Sequence, residues 1–119
     1  MTITQQATEF AAIGTTHSIL TTDPDALSPA VAIAQARLDE LDRAVSRFRD
    51  DSEVMRLAAA ATSNEVWCFG SAVFVDQVDA ALHAARISGG LVDLTVGRAV
   101  LAAGYDADLP EVLARRTFA

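Results

Sequence analysis

Two stretches of the chain concentrate residue types that can bind charged or flat groups. The first is Ser46-Arg47-Phe48-Arg49-Asp50-Asp51-Ser52-Glu53, a polar and charged octet interrupted by one aromatic. Such a composition looks like a functional loop. The plainer alternative is that Phe48 plugs the end of a preceding helix while Arg47 and Arg49 are solvated or pair with Asp50 and Asp51. The second stretch is Gly89-Gly90-Leu91-Val92-Asp93-Leu94-Thr95-Val96-Gly97-Arg98. Adjacent glycines admit positive φ and let backbone N–H groups face a ligand's oxygens, but the same pair also serves simply to end a helix. Asp93 stands in an apolar run, where a carboxylate must find a hydrogen-bond partner or carry a role.

Other chemistries have little to work with. Cys68 is the single cysteine, and with only His17 and His83 there is no thiolate or imidazole cluster for zinc, so Cys68 is read as a small buried apolar residue. His83 is read as a surface residue paired with Asp79 one turn away, and His17 as structural. All nine basic residues are arginines, and they face 16 acidic ones for a net charge of -7. That sign excludes general binding to nucleic-acid backbones. Of the 51% hydrophobic residues in a 119-residue chain, 24 are alanines, so the core is ordinary in size. No apolar run approaches the roughly 18 residues of a spanning helix, and the first residues lack the layout of a signal peptide, so a cytoplasmic protein is expected.

The elements that must position the two stretches follow from periodicity. A first strand, rich in Thr, Ile and Phe, is expected over 9–22 with a bend or close backbone approach at Gly14. Ser28-Pro29 reads as the start of a helix, whose buried stripe is Val31, Ala34, Leu38, Leu41 and Val45, with Asp39 and Arg43 as an i,i+4 pair. Asp50 and Glu53 have capping-box spacing, which predicts a short helix over about 51–60. A short strand over 65–69 follows. Ser71 then caps a second long helix that Gly89 stops, with Phe74, Val75, Val78, Ala81, Leu82 and Ala85 buried. Gly97 and Gly104 read as turn or helix-end residues.

In that order, Phe10-Ala11-Ala12-Ile13-Gly14-Thr15, the stretch from Ser46 through Leu57, the stretch Gly89–Gly97 and Gly104-Tyr105-Asp106 resemble the N-terminal signatures of the FAD:protein FMN transferases, the ApbE-type proteins. The resemblance spans nearly the whole chain. It implies an α+β fold, strands packed against two long helices, as the N-terminal part of the transferase fold. It also implies the activity: with Mg2+, FMN is moved from FAD to a Ser or Thr hydroxyl of a target flavoprotein and AMP is released. By the same resemblance Ile13 touches the flavin nucleotide, Phe48 supplies the aromatic against it, and Leu91, Val92 and Asp93 line the pocket. The family often has Met at position 13, Asn at 58, a small then an aromatic residue at 91 and 92, Pro at 94 and Trp at 103. Its members are about twice this length or more, and their later segments carry a Gly-Lys-Gly motif and the magnesium ligands. The expectation is therefore that residues 1–119 are an N-terminal portion without the magnesium site, which a separately encoded portion can supply. The alternative is a flavin-binding module, or a truncated remnant, that is incomplete as a catalyst.

Overall fold

The computed structural model describes residues 4–61 and 69–117. Cys68 and the expected strand over 65–69, apart from an exposed Phe69, lie outside them. The element order is β1 (Gln6–Ala12), β2 (Thr15–Thr21), α1 (Pro24–Val45), α2 (Glu53–Ala60), α3 (Ala72–Ile87), α4 (Gly97–Ala102) and α5 (Leu109–Thr117), an α+β arrangement.

The stretch read as one bent strand is an antiparallel hairpin, in register from Ala12↔Thr15 to Gln6↔Thr21. Only Ile13 and Gly14 remain for its loop, and both have positive φ, 44° and 74°. Two positive-φ residues make the primed turn whose twist matches paired strands. Gly14 adopts this freely, whereas the β-branched Ile13 adopts it under strain. Alternation puts Thr8, Phe10, Ala12, His17 and Ile19 on the more covered face, and both strands pack on α1. His17 stacks on its cross-strand partner Phe10 with ring centroids 5.6 Å apart, a structural role as expected.

Helix α1 begins one turn earlier than Ser28-Pro29. Asp23 is its N-cap, accepting from the Asp25 N–H at 2.9 Å, and Pro24 occupies the first turn. Both sites pair a capping residue with a proline, and the earlier one lengthens the helix. Pro29 is left inside it at the cost of one intrahelical donor. The stripe Val31, Ala34, Leu38, Leu41 and Val45 is half-buried, and α1 is the hub that touches both strands, α2 and α3. The Asp39–Arg43 pair forms, although an exposed pair of this kind contributes only a few tenths of a kcal/mol.

Helix α2 is capped by Ser52 rather than Asp50. Ser52 Oγ accepts from the Met55 N–H at 3.3 Å, while the Glu53 carboxylate reaches across to α3 and accepts from the Ser71 N–H at 2.7 Å and from its hydroxyl. These two bonds hold the Glu53 carboxyl below the usual glutamate range. Helix α3 runs as expected from its Ser71 cap to Ser88. There Gly90 N–H reaches the Ala85 carbonyl at 2.9 Å and Gly89 N–H the Arg86 carbonyl at 3.3 Å, the paired bonds of a Schellman stop. The glycine pair therefore ends the helix. Asp79 and His83, both exposed, form no ion pair with each other.

The whole is open. Its radius of gyration is 18.1 Å, against about 13.5 Å for a compact domain of this length. Its accessible surface is 9047 Å2, against roughly 6,200 Å2 for a globular chain of this mass. Among the described residues only Ala44, Val112 and Ser52 are buried, and Ile33, Leu20, Ile87 and Leu91 stand mostly in solvent.

Candidate functional site

Three segments distant in sequence meet around one cavity of about 410 Å3: the hairpin turn at Ile13–Thr15, the end of α1 with the loop to Phe48, and the stretch Tyr105–Leu109. A cavity of that size is within the range of small-molecule sites. Ile13 and Phe48 are thus brought onto the same wall-to-wall space, and Ile13 remains 44% exposed at it.

The loop that carries Phe48 is fixed from beneath. Ser52, fully buried, donates its hydroxyl to the Ser46 carbonyl at 2.6 Å while capping α2, and Ser46 Oγ accepts from the Phe48 N–H at 3.3 Å. Arg49 is used up in the same frame. It grips both oxygens of Asp51 at 2.9 and 3.0 Å and reaches Asp42 of α1 at 3.1 Å. Its hydrogen bonds, helped by its charge, hold the Asp51 carboxyl below the usual aspartate range. Arg49 therefore pairs with Asp42 and Asp51, not with Asp50 and Asp51.

Arg47 points the other way, into the site. Its guanidinium carbon lies 4.5 Å from the Phe48 ring centroid and 4.4 Å from that of Tyr105, and Nη2 donates to the Tyr105 carbonyl at 2.7 Å. The two rings meet edge to face at 5.8 Å. Among the described residues, Nη1 is buried without an acceptor. Tyr105 arrives by a second Schellman stop: Gly104, at φ 90°, donates to the Leu101 carbonyl at 2.9 Å, and Tyr105 N–H reaches that of Val100 at 3.1 Å. The tight end of α4 turns the chain straight into the cavity.

Asp108 completes the lining at the start of α5. A Cβ placed on Gly14 would stand 3.2 Å from its Oδ1, so the carboxylate rests against the bare side of the turn. Asp108 is not among the candidate residues of the sequence. A signal was present in Asp108-Leu109-Pro110, an aspartate followed closely by proline at a helix start.

Leu91, Val92 and Asp93 are placed elsewhere. They are exposed in the segment between α3 and α4 and do not line the cavity with Ile13 and Phe48. Asp93 satisfies itself locally, its Oδ1 accepting from the Thr95 N–H at 2.8 Å and the Thr95 hydroxyl at 2.7 Å. Those bonds lower its carboxyl below the usual range. An Asx-type turn, not burial, accounts for a carboxylate in that apolar run.

A model of the ApbE family matches residues 13–117, from the strained hairpin turn through α5. The chain belongs to the ApbE family. All three segments of the cavity lie within the matched stretch, and membership points to flavin-transfer chemistry. No curated protein and no solved structure matches this ApbE chain. Among the described residues no group of three or more His, Cys, Asp or Glu side chains is placed to hold a metal ion. Among them, too, no helix is long and apolar enough to cross a membrane.

Proposed function

We propose that this ApbE-family chain holds the flavin in an FAD:protein FMN transferase. In that reaction a Ser or Thr hydroxyl oxygen of the target flavoprotein bonds to the FMN phosphorus of FAD, the bond from that phosphorus to the oxygen bridging to AMP breaks, and AMP leaves as the hydroxyl loses its proton. Phosphoryl transfer asks the protein mainly for positioning and charge neutralisation. The observation that carries the reading is the meeting of Ile13 and Phe48, far apart in sequence, on one cavity inside the family-matched stretch. Phe48 and Tyr105 offer aromatic surface to a flat ring, and the Arg47 guanidinium between them fixes both. Leu91, Val92 and Asp93 would meet a part of FAD other than the part in the cavity.

Magnesium neutralises diphosphate charge in such reactions, but the described residues do not form a site for it. In this reading its ligands belong to residues outside this sequence, as do the elements that cover the exposed apolar faces. The same observation favours a second reading, a flavin-binding module that transfers nothing by itself.

Incubation with FAD, Mg2+ and a target carrying an acceptor Thr, followed by mass spectrometry, decides between them. A mass gain of one FMN less one water on the target supports the transferase. FAD binding in a titration without a mass gain leaves the binding module, and the absence of both binding and mass gain contradicts both readings.

A further inference from the structure

We propose that Asp108 determines specificity in this cavity, accepting a hydrogen bond from the flavin half of FAD and keeping the diphosphate out. The inference rests on the flavin-transferase reading and adds to it which half of the ligand the cavity takes.

Three charged side chains line the space, and two are already engaged. Asp42 receives Arg49 at 3.1 Å. Arg47 donates from Nη2 to the Tyr105 carbonyl and lies against two rings, and its Nη1 is buried. Asp108 is different. Its carbonyl accepts from the Glu111 and Val112 N–H groups at 3.0 and 3.1 Å, which anchors the backbone at the start of α5, while its exposed carboxylate has no hydrogen-bond partner among the described residues. That carboxylate lies against the bare side of the turn, since a Cβ built on Gly14 would stand 3.2 Å from Oδ1. The cavity thus presents aromatic surface beside a carboxylate acceptor that is unpartnered among the described residues.

A ligand gains there by bringing a flat ring with an N–H or O–H donor, and loses by bringing a phosphate beside a carboxylate. The flavin half of FAD fits that description through its ring imide N–H and its ribityl hydroxyls. The adenosine half also has a flat ring and donors, so the two halves must be separated by experiment.

Binding of riboflavin, FMN and adenosine to the chain and to its D108A and D108N variants is measured by calorimetry, with circular dichroism to confirm folding. Riboflavin is expected to bind, and D108A to weaken it about tenfold, the scale of one hydrogen bond to a charged acceptor. D108N keeps an acceptor oxygen and the size of the side chain but loses the charge. It is expected to raise FMN affinity relative to riboflavin several-fold, and it serves where D108A fails to fold. Lumiflavin, which lacks the ribityl chain, and N3-methylriboflavin identify the donor, since the analogue without it loses its sensitivity to D108A. Equal riboflavin affinity in the wild-type chain and D108A, an unchanged FMN-to-riboflavin ratio in D108N, or adenosine as the Asp108-sensitive ligand would each overturn the proposal. A wild-type chain that binds no flavin at all overturns the underlying reading as well.

Discussion

Arg47 donates from Nη2 to the backbone carbonyl of Tyr105 at 2.7 Å while its guanidinium lies against the Tyr105 ring, 4.4 Å from the centroid. This contact ties the loop after α1 to the chain leaving α4, and both segments line the cavity. Replacing Arg47 by Met removes a charged hydrogen bond and two ring contacts, partly offset by removing the unpaired Nη1. A loss of about 1–2 kcal/mol is expected in denaturant titration, with weaker FAD binding. Arg47→Lys should not restore either, because an ammonium has no planar face to lie between two rings. Full recovery by Lys would show that charge alone matters at this position.

Ile13 carries strain that its side chain does not repay by burial, with φ at 44° and 44% of its surface exposed. Asn tolerates this backbone region better, so Ile13→Asn is expected to raise stability by about 1 kcal/mol. If Ile13 contacts the flavin, the same change lowers FAD affinity several-fold. Thermal melts and FAD titrations of the one variant read the two effects, and they should move in opposite directions. A destabilised variant would mean that the turn is not strained.

The legibility of these features in the sequence follows from how local their causes are. Helix α3 could be read from end to end because Ser71 and Gly89-Gly90 cap it with bonds made within one turn. The hairpin could not, since isoleucine is a strand residue and nothing in its type announces a positive φ. Ser52 outcompeted Asp50 as the α2 cap because its hydroxyl both caps the helix and donates to the Ser46 carbonyl in the interior, a pairing that spacing alone does not reveal. Phe48 was legible as a candidate. The partnership of Arg47 with Tyr105 depends on where α4 ends, and no local rule places those residues side by side.

Glu53 links α2 to the cap of α3, and its two bonds from Ser71 hold its carboxyl below the ordinary range. A carboxylate lowered in this way adds stability that is fully present above its unfolded value, about 4.3. That stability is lost as pH falls through the lower folded value. The melting temperature should therefore drop on acidification below about pH 5, and drop less in Glu53→Gln, which lacks the titrating group. The difference between the two melting curves from neutral pH to pH 3 isolates Glu53 from Asp51 and Asp93, whose carboxyls are also lowered. Parallel curves would show that the link adds nothing.

The central claim is that the cavity between the Ile13–Gly14 turn and Phe48 receives the flavin of FAD. Its most direct test is a flavin-fluorescence titration of FAD against the chain and against Phe48→Leu, which keeps apolar volume and removes the aromatic face. Saturable quenching by the wild-type chain, with affinity about tenfold weaker in Phe48→Leu, is the predicted result. No saturable change with the wild-type chain, or identical titrations for the two proteins, would contradict it.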